Sequence, residues 1–242
     1  MSSTAEPRSF ADPDSGLQVG APVDGPTAKA PQPTTIPGRL ITLVPLNIAS
    51  HGRHLFEATS SGPEKYALWQ YMLDGPWDDY ESFHRDLLAR ETATDAVFFT
   101  IISNATGLPL GITGYLAIRP AAGVIEVGSV LFSPALQRTP AATEVNYLVA
   151  KHAFEDLGYR RYEWKANALN KPSLQAAERL GFTFEGIFRQ HMIIKGRNRD
   201  TAWFSMLDGE WPERKAAFEK YLDPANFDEE GRQREPLGRK TA

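Results

Sequence analysis

Residues 133–144 read Ser-Pro-Ala-Leu-Gln-Arg-Thr-Pro-Ala-Ala-Thr-Glu, and this stretch decides how the chain is interpreted. It follows a predicted strand, Val124–Phe132, and opens a predicted helix over 140–157. A helix N-terminus leaves about four backbone N–H groups without partners and carries roughly half a positive charge. The segment is therefore typical of a turn that binds a phosphate group.

The side chains in this stretch suit a diphosphate. Ala141 and Ala142 are small enough for phosphate to approach the backbone, and Arg138 adds a charge-assisted contact. Pro140 removes an N–H group, but at the first helical position that group has no helical partner. Considered alone, the segment also fits an ordinary helix with Thr139 as its N-cap.

The composition excludes several kinds of site and partner. The chain has 242 residues, a formal net charge of −4 and no cysteine. The absence of cysteine excludes disulfides, a thiolate nucleophile and thiolate-bound zinc. The negative charge argues against nucleic acid as a partner. No signal peptide or membrane span is predicted, so we expect a soluble cytoplasmic protein.

The chain is predicted to form one α/β domain over 38–222, between a disordered N-terminal arm at 1–36 and a C-terminal tail at 223–242. The arm is rich in Pro, Gly, Ser and Thr and has little to bury. Strands are predicted over 39–46, 96–103, 110–118, 124–132, 161–166, 182–194 and 200–207. Helices are predicted over 48–59, 63–72, 79–92, 140–157, 172–180 and 211–221.

Three blocks of sequence resemble the GNAT superfamily of N-acetyltransferases. The first is 137–142, which is similar to the family's Gln/Arg-x-x-Gly-x-Gly/Ala motif. The second begins at Asn170-Lys171-Pro172-Ser173 and ends at Leu180-Gly181-Phe182. The third, Phe184-Glu185-Gly186 followed by Arg189, resembles the RimJ/RimL-like branch. The blocks occur in the family's order and spacing across residues 39–207.

The resemblance implies a mixed, mostly antiparallel sheet flanked by helices, with a V-shaped gap between the fourth and fifth strands. The gap would hold acetyl-CoA, and direct transfer to an amine would suit a chain without cysteine. No metal is implied, and dimers are common in the family. The residues expected to bind the cofactor are Val130, Leu131, Phe132, Gln137, Arg138, Thr139, Ala141, Ala142, Thr143 and Asn170.

Acetyl transfer needs a base, a donor to the thioester oxygen and an acid for the leaving thiolate. Glu126 is the predicted base, because it shares side-chain parity with Val130 and Phe132 if no bulge intervenes; a salt-bridged or rim glutamate is the alternative. A backbone N–H near Leu131 is the predicted oxygen donor. Ser173 is the candidate acid, although a first-turn serine is equally typical. His191 is an alternative base.

The acceptor amine is expected to bind the front half of the domain. Trp69, Tyr71 and Trp77 surround several aspartates, and aromatic faces with carboxylates suit an ammonium group. Helix core is the alternative for these residues. Many relatives have a tyrosine where this chain has Ala177, so a non-catalytic acyl-CoA-binding module also remains open. The sequence does not identify the acceptor.

Overall fold

The computed structural model describes residues 9–23, 25 and 27–238. The strands are β1 (Ser9–Ala11), β2 (Gln18–Gly20), β3 (Ile36–Pro37), β4 (Ile41–Pro45), β5 (Val97–Ser103), β6 (Pro109–Arg119), β7 (Val124–Phe132), β8 (Arg161–Asn167), β9 (Thr183–Ile194) and β10 (Arg197–Leu207). The helices are α1 (Ile48–Thr59), α2 (Lys65–Trp69), α3 (Tyr80–Glu91), α4 (Pro140–Lys151), α5 (Lys171–Leu180) and α6 (Trp211–Leu222).

Eight strands form one sheet in the order β3-β4-β5-β6-β7-β8-β10-β9. Neighbouring strands are antiparallel except β7 and β8, which are parallel and joined through α4. A parallel pair needs such a crossover, because the chain must return to the same end of the sheet. The mixed, mostly antiparallel sheet predicted from the sequence is therefore confirmed.

Local signals at the helix ends agree with the structure. Asp79, Thr139 and Asn170 cap α3, α4 and α5 with their side chains. Gly181 ends α5 with φ 96°, where glycine has no Cβ penalty. The helix predicted over 63–72 is shorter, since only Lys65–Trp69 is helical, and α4 continues into a π-turn at His152–Asp156.

The sheet buries a different set of side chains on each face. One face packs against α4, α5 and α6, and its core includes Ile125, Val127 and Trp164. The other face packs against α1, α2 and α3, and its core includes Trp69 and Leu131. Burial of these two faces excludes water from both sides of β5, β6 and β7.

A gap opens where β7 and β8 separate. The two strands pair from Val124↔Arg161 to Val127↔Trp164 and no further. Beyond that point Gly128–Phe132 continues β7 with no partner on the β8 side among the described residues. This is the V-shaped gap that the resemblance implied, with β7 and β8 as the family's fourth and fifth strands.

The segments outside the predicted domain have structure of their own. Residues 1–8, 24 and 26 of the predicted arm lie outside the described residues. The rest of the arm contains the exposed hairpin β1–β2, and Ala28 reaches the main core. In the predicted tail, Leu237 is buried in the same core. Packed residues therefore lie on both sides of 38–222, because these apolar side chains are buried against the main core.

Among the described helices, none is long and apolar enough to cross a bilayer.

Candidate active site

A β-bulge in β7 changes which residues share a face with Glu126. Gly128 pairs with Gly114 and Leu131 with Ile112, so β7 advances three residues while β6 advances two. Ser129, inside the bulge, has φ 50°. The extra residue reverses the alternation of side chains. Glu126 therefore lies on the face of Leu131, and the predicted shared parity with Val130 and Phe132 is wrong.

The Glu126 carboxylate nevertheless extends to the start of the gap. Its Oε1 lies 3.5 Å from the position that a Cβ on Gly128 would occupy, at the first residue of β7 beyond the pairing. Its Oε2 accepts a hydrogen bond of 2.8 Å from Lys165 Nζ, and Lys165 is the first residue of β8 beyond the pairing. Burial raises the pKa of Glu126, although the Lys165 ammonium opposes that effect.

Glu126 belongs to a line of charged groups across the sheet. We call Glu126, Glu163, Lys165, Arg199, Thr201, Trp203 and Ser205 the polar face, since all lie opposite the α4 core. Lys165 Nζ also lies 3.1 Å from Glu163 Oε2 and 4.0 Å from the centroid of the Trp203 ring. Burial opposes charge on Glu163, but hydrogen bonds from Arg161 and Lys165 outweigh it and lower the pKa of Glu163. One ammonium thus sits between two carboxylates and over an aromatic ring.

The backbone N–H groups of β7 that point into the gap are not that of Leu131 but those of its neighbours. Ser133 N–H donates to Leu110 O on β6, 2.9 Å away. Because backbone groups alternate along a strand, the Leu131 N–H also points toward β6. Those of Val130 and Phe132 point into the gap, and Phe132 O on that side accepts a bond from the Gln137 side chain. The Leu131 N–H itself therefore does not face the gap, although those of its neighbours do, and the Leu131 side chain is buried in the α1–α3 core.

The turn before α4 has some amides open and others occupied. Gln137 N–H donates to Ser133 O, and Ala142 N–H donates to Thr139 Oγ1 at 3.2 Å. The amides of Arg138 and Ala141 have no hydrogen-bond partner in the described part of the chain. Arg138 has φ 62°, which directs the backbone away from a helical path. The turn predicted to bind an anion thus leaves two amides open, whereas the Ala142 amide is occupied.

A second cation lies beside this turn, on α5. Arg179 Nη2 donates to Thr143 Oγ1 at 3.0 Å, and Thr143 is buried. Burial lowers the pKa of Arg179. Among the described residues it has no carboxylate within ion-pair distance. The sequence did not single out Arg179, because its approach to α4 spans 36 residues along the chain.

Ser173 and Asn170 meet at the start of α5. Asn170 Oδ1 caps the helix by accepting from Ser173 N–H at 3.3 Å, which leaves the amide Nδ2 free to donate. Ser173 Oγ accepts a bond of 3.1 Å from Trp164 Nε1. The serine therefore retains its own O–H for another acceptor. Both residues follow β8 at the open end of the gap.

The predicted aromatic substrate site is largely occupied by the protein itself. Trp69 is 0% exposed and donates from Nε1 to Thr59 O, so its side chain is core. Trp77 packs on Trp69, and Tyr71 is half-buried. The three aspartates pair inside the chain: Asp74 with Arg90, Asp78 with Lys65, and Asp79 with the first turn of α3. The carboxylates expected to receive an ammonium group are thus already bound.

His191 is close to the polar face but engaged there. Its Nδ1 lies 3.0 Å from Thr201 Oγ1, and its ring contacts Phe188 and Trp203. Within the residues that the structure describes, no three His, Cys, Asp or Glu side chains are grouped to hold a metal ion.

Known proteins resemble this chain in sequence and structure. A family model described as an acetyltransferase (GNAT) domain matches residues 41–183. A GCN5-related N-acetyltransferase from Brucella melitensis is 44% identical, with a TM-score of 0.85 over 87% of this chain and 95% of that chain. A probable acetyltransferase (GNAT family) from Chromobacterium violaceum is 38% identical, with a TM-score of 0.75 over 83% and 100%. "Uncharacterized N-acetyltransferase p20" from Bacillus licheniformis is 31% identical over 113 residues, which cover 47% of this chain and only 63% of that protein.

Proposed function

Because the chain belongs to the GNAT acetyltransferase family, we propose that it transfers an acetyl group from acetyl-CoA directly to an amine. One juxtaposition supports this proposal above all. The opening between β7 and β8 lies beside a turn whose Arg138 and Ala141 amides are free within the described chain. A slot for an extended arm next to an anion-binding turn fits a thioester carried on a diphosphate. The narrower RimJ/RimL-like assignment stays a prediction.

The binding roles follow from the positions of these groups. The open amides and the guanidinium groups of Arg138 and Arg179 would bind the diphosphate, since charge-assisted hydrogen bonds to phosphate are strong. Phe132 and Val130 would line the slot. Asn170 Nδ2 would donate to the arm of the cosubstrate. The cofactor-binding residues Gln137, Thr139, Ala142 and Thr143 would then act by shaping the turn.

The chemical roles can be assigned on the same geometry. The amine nitrogen attacks the thioester carbon, the C–N bond forms, and the C–S bond breaks. Glu126 would accept the proton that the amine loses, because its carboxylate extends to the start of the gap and burial raises its pKa. The Val130 N–H would donate to the thioester oxygen as negative charge develops there. The leaving thiolate would accept a hydrogen bond from the Ser173 O–H, the candidate acid group, and take its proton from solvent.

Thermal melting and turnover of the wild type and Glu126→Gln test the proposal together. Acetyl-CoA at about a hundred times its dissociation constant should stabilise both proteins by about 2.7 kcal/mol. Turnover should fall about 10²- to 10⁴-fold in Glu126→Gln, because only the base is removed.

Two results would contradict the proposed function. A melting curve that acetyl-CoA does not move would contradict the cosubstrate assignment. A melting shift without thiol release from any amine would favour the non-catalytic acyl-CoA-binding module. Glu178→Gln, an exposed change on α5, serves as the matched control and should alter neither readout.

A further inference from the structure

Arg199 is the one cation of the polar face without a carboxylate in direct contact within the described chain. On that face, Lys165 pairs with Glu126 and Glu163. Arg199 lies on β10, is half-buried, and makes one hydrogen bond, from Nε to Thr201 Oγ1 at 3.3 Å. Its two Nη groups have no partner among the described residues.

The location of Arg199 connects it to the reaction proposed above. Its side chain lies on the same face of the sheet as Glu126, since Thr201 and Trp203 alternate with the core residues Ala202 and Phe204. Burial lowers the pKa of Arg199, while the charge of Glu126 opposes that effect. The two groups therefore share one face of the sheet and form no ion pair with each other.

The neighbouring carboxylates are not available to Arg199. Glu163 binds Arg161 at 2.8 Å and Lys165 at 3.1 Å, and Glu185 binds Arg161 and Ser205. Asp200, the next residue along β10, points to the opposite face and accepts bonds from Gln190 N–H and Asn198. A partly desolvated guanidinium with free N–H groups is costly unless something binds it.

We propose that Arg199 binds a carboxylate of the acceptor, so that the substrate is a small amino acid-type molecule whose amine faces Glu126. The inference rests on the proposed acetyl transfer and adds the chemical class of the acceptor. A planar guanidinium matches a planar carboxylate through two parallel hydrogen bonds, which lysine does not provide. Lys165 is held by its two carboxylates, so the acceptor's negative charge goes to Arg199.

The test compares matched pairs of acceptors. Free amino acids are assayed against their carboxamides, and short ω-amino acids against the corresponding alkylamines, with thiol release as the readout. The wild type should prefer the acids by about 10- to 100-fold in kcat/KM, as expected for charge-assisted hydrogen bonds. Arg199→Gln should remove that preference mainly by raising KM, and Arg199→Lys should restore part of it.

The control variant is Arg189→Gln. Arg189 is exposed, and its charge acts on Asp200 on the other face, so its removal changes net charge without touching the polar face. It should leave the preference for acids unchanged. The melting shift with acetyl-CoA should persist in both glutamine variants, which shows that each is folded and binds the cosubstrate.

The outcomes separate this inference from the proposed function. If the wild type acetylates amides as well as acids, or if Arg199→Gln slows both equally, the carboxylate assignment is wrong while acetyl transfer stands. If Arg199→Gln abolishes the acetyl-CoA shift, Arg199 belongs to the cosubstrate site or to the fold, and the assignment is also wrong. If no amine is acetylated and acetyl-CoA gives no shift, the proposed function itself fails.

Discussion

Lys165 controls how much charge Glu126 carries at a given pH. It holds the carboxylate at 2.8 Å, and both side chains are largely buried. Burial alone would favour the protonated acid, and the ammonium works in the opposite direction. As the proposed base, Glu126 must be deprotonated to act, so the rate should be lost as the pH falls through its raised pKa. For stability the sign is reversed: the folded state prefers the protonated acid, and stability is lost as pH rises through that pKa.

Lys165→Met should move the acidic limb of the kcat/KM profile to higher pH. The reason is that the substitution removes the cation that favours the Glu126 carboxylate, while burial remains. Profiles of the wild type, Lys165→Met and Lys165→Arg measure the effect, and the arginine variant should stay close to the wild type. An unmoved limb in Lys165→Met would show that another group controls the rate.

Glu144 is the polar group that attaches α4 to the edge of the sheet. It is buried, and its carboxylate accepts backbone N–H bonds from Arg39, Leu40 and Ile41 at 3.0, 2.7 and 3.0 Å. The helix that follows the proposed anion-binding turn is thereby fixed to the start of β4. The position of the turn before α4, relative to the gap between β7 and β8, depends on this attachment.

Glu144→Ala should lower the free energy of unfolding by about 3 kcal/mol or more, because three backbone N–H groups lose a buried carboxylate acceptor. Urea denaturation measures the change. Glu178→Ala, on the exposed side of α5, is the control and should fall within about 0.5 kcal/mol of the wild type. A loss no larger than that of the control would mean that water replaces the carboxylate.

Residues that precede the predicted domain boundary pack against the rest of the molecule. Every residue of strands β1 and β2 is exposed, whereas Ala28 is 8% exposed and Lys29 N–H donates to Leu157 O at 2.8 Å. The stabilising part of the N-terminal segment therefore starts near residue 28, beside the end of the α4 π-turn.

Removal of residues 1–25 should change the free energy of unfolding by less than about 0.5 kcal/mol, since the hairpin covers little apolar surface. Removal of residues 1–30 should cost about 1–2 kcal/mol, because the Ala28 contact and the Lys29 hydrogen bond are lost. Denaturation of the two truncated chains beside the full chain measures both. Equal stability of the two truncations would place the boundary later, as the sequence predicted.

The sequence by itself determined the elements that depend on neighbouring residues. The bounds of β7, the cap at Thr139 and the end of α5 at Gly181 all follow from preferences within one turn or one strand. The resemblance of three sequence blocks to the GNAT superfamily also implied the sheet and its gap. The strand bounds and helix ends are local, so a single chain segment carries that information.

Only the tertiary structure decided which side chains meet in the site. The bulge at Ser129 reversed the facing of Glu126 relative to Val130, and Lys165 joined Glu126 from 39 residues away. Register across strands and the burial of Trp69 depend on partners distant in the sequence, which local preference does not encode. The same holds for Arg199, since its lack of a carboxylate partner is visible only when every neighbouring strand is in place.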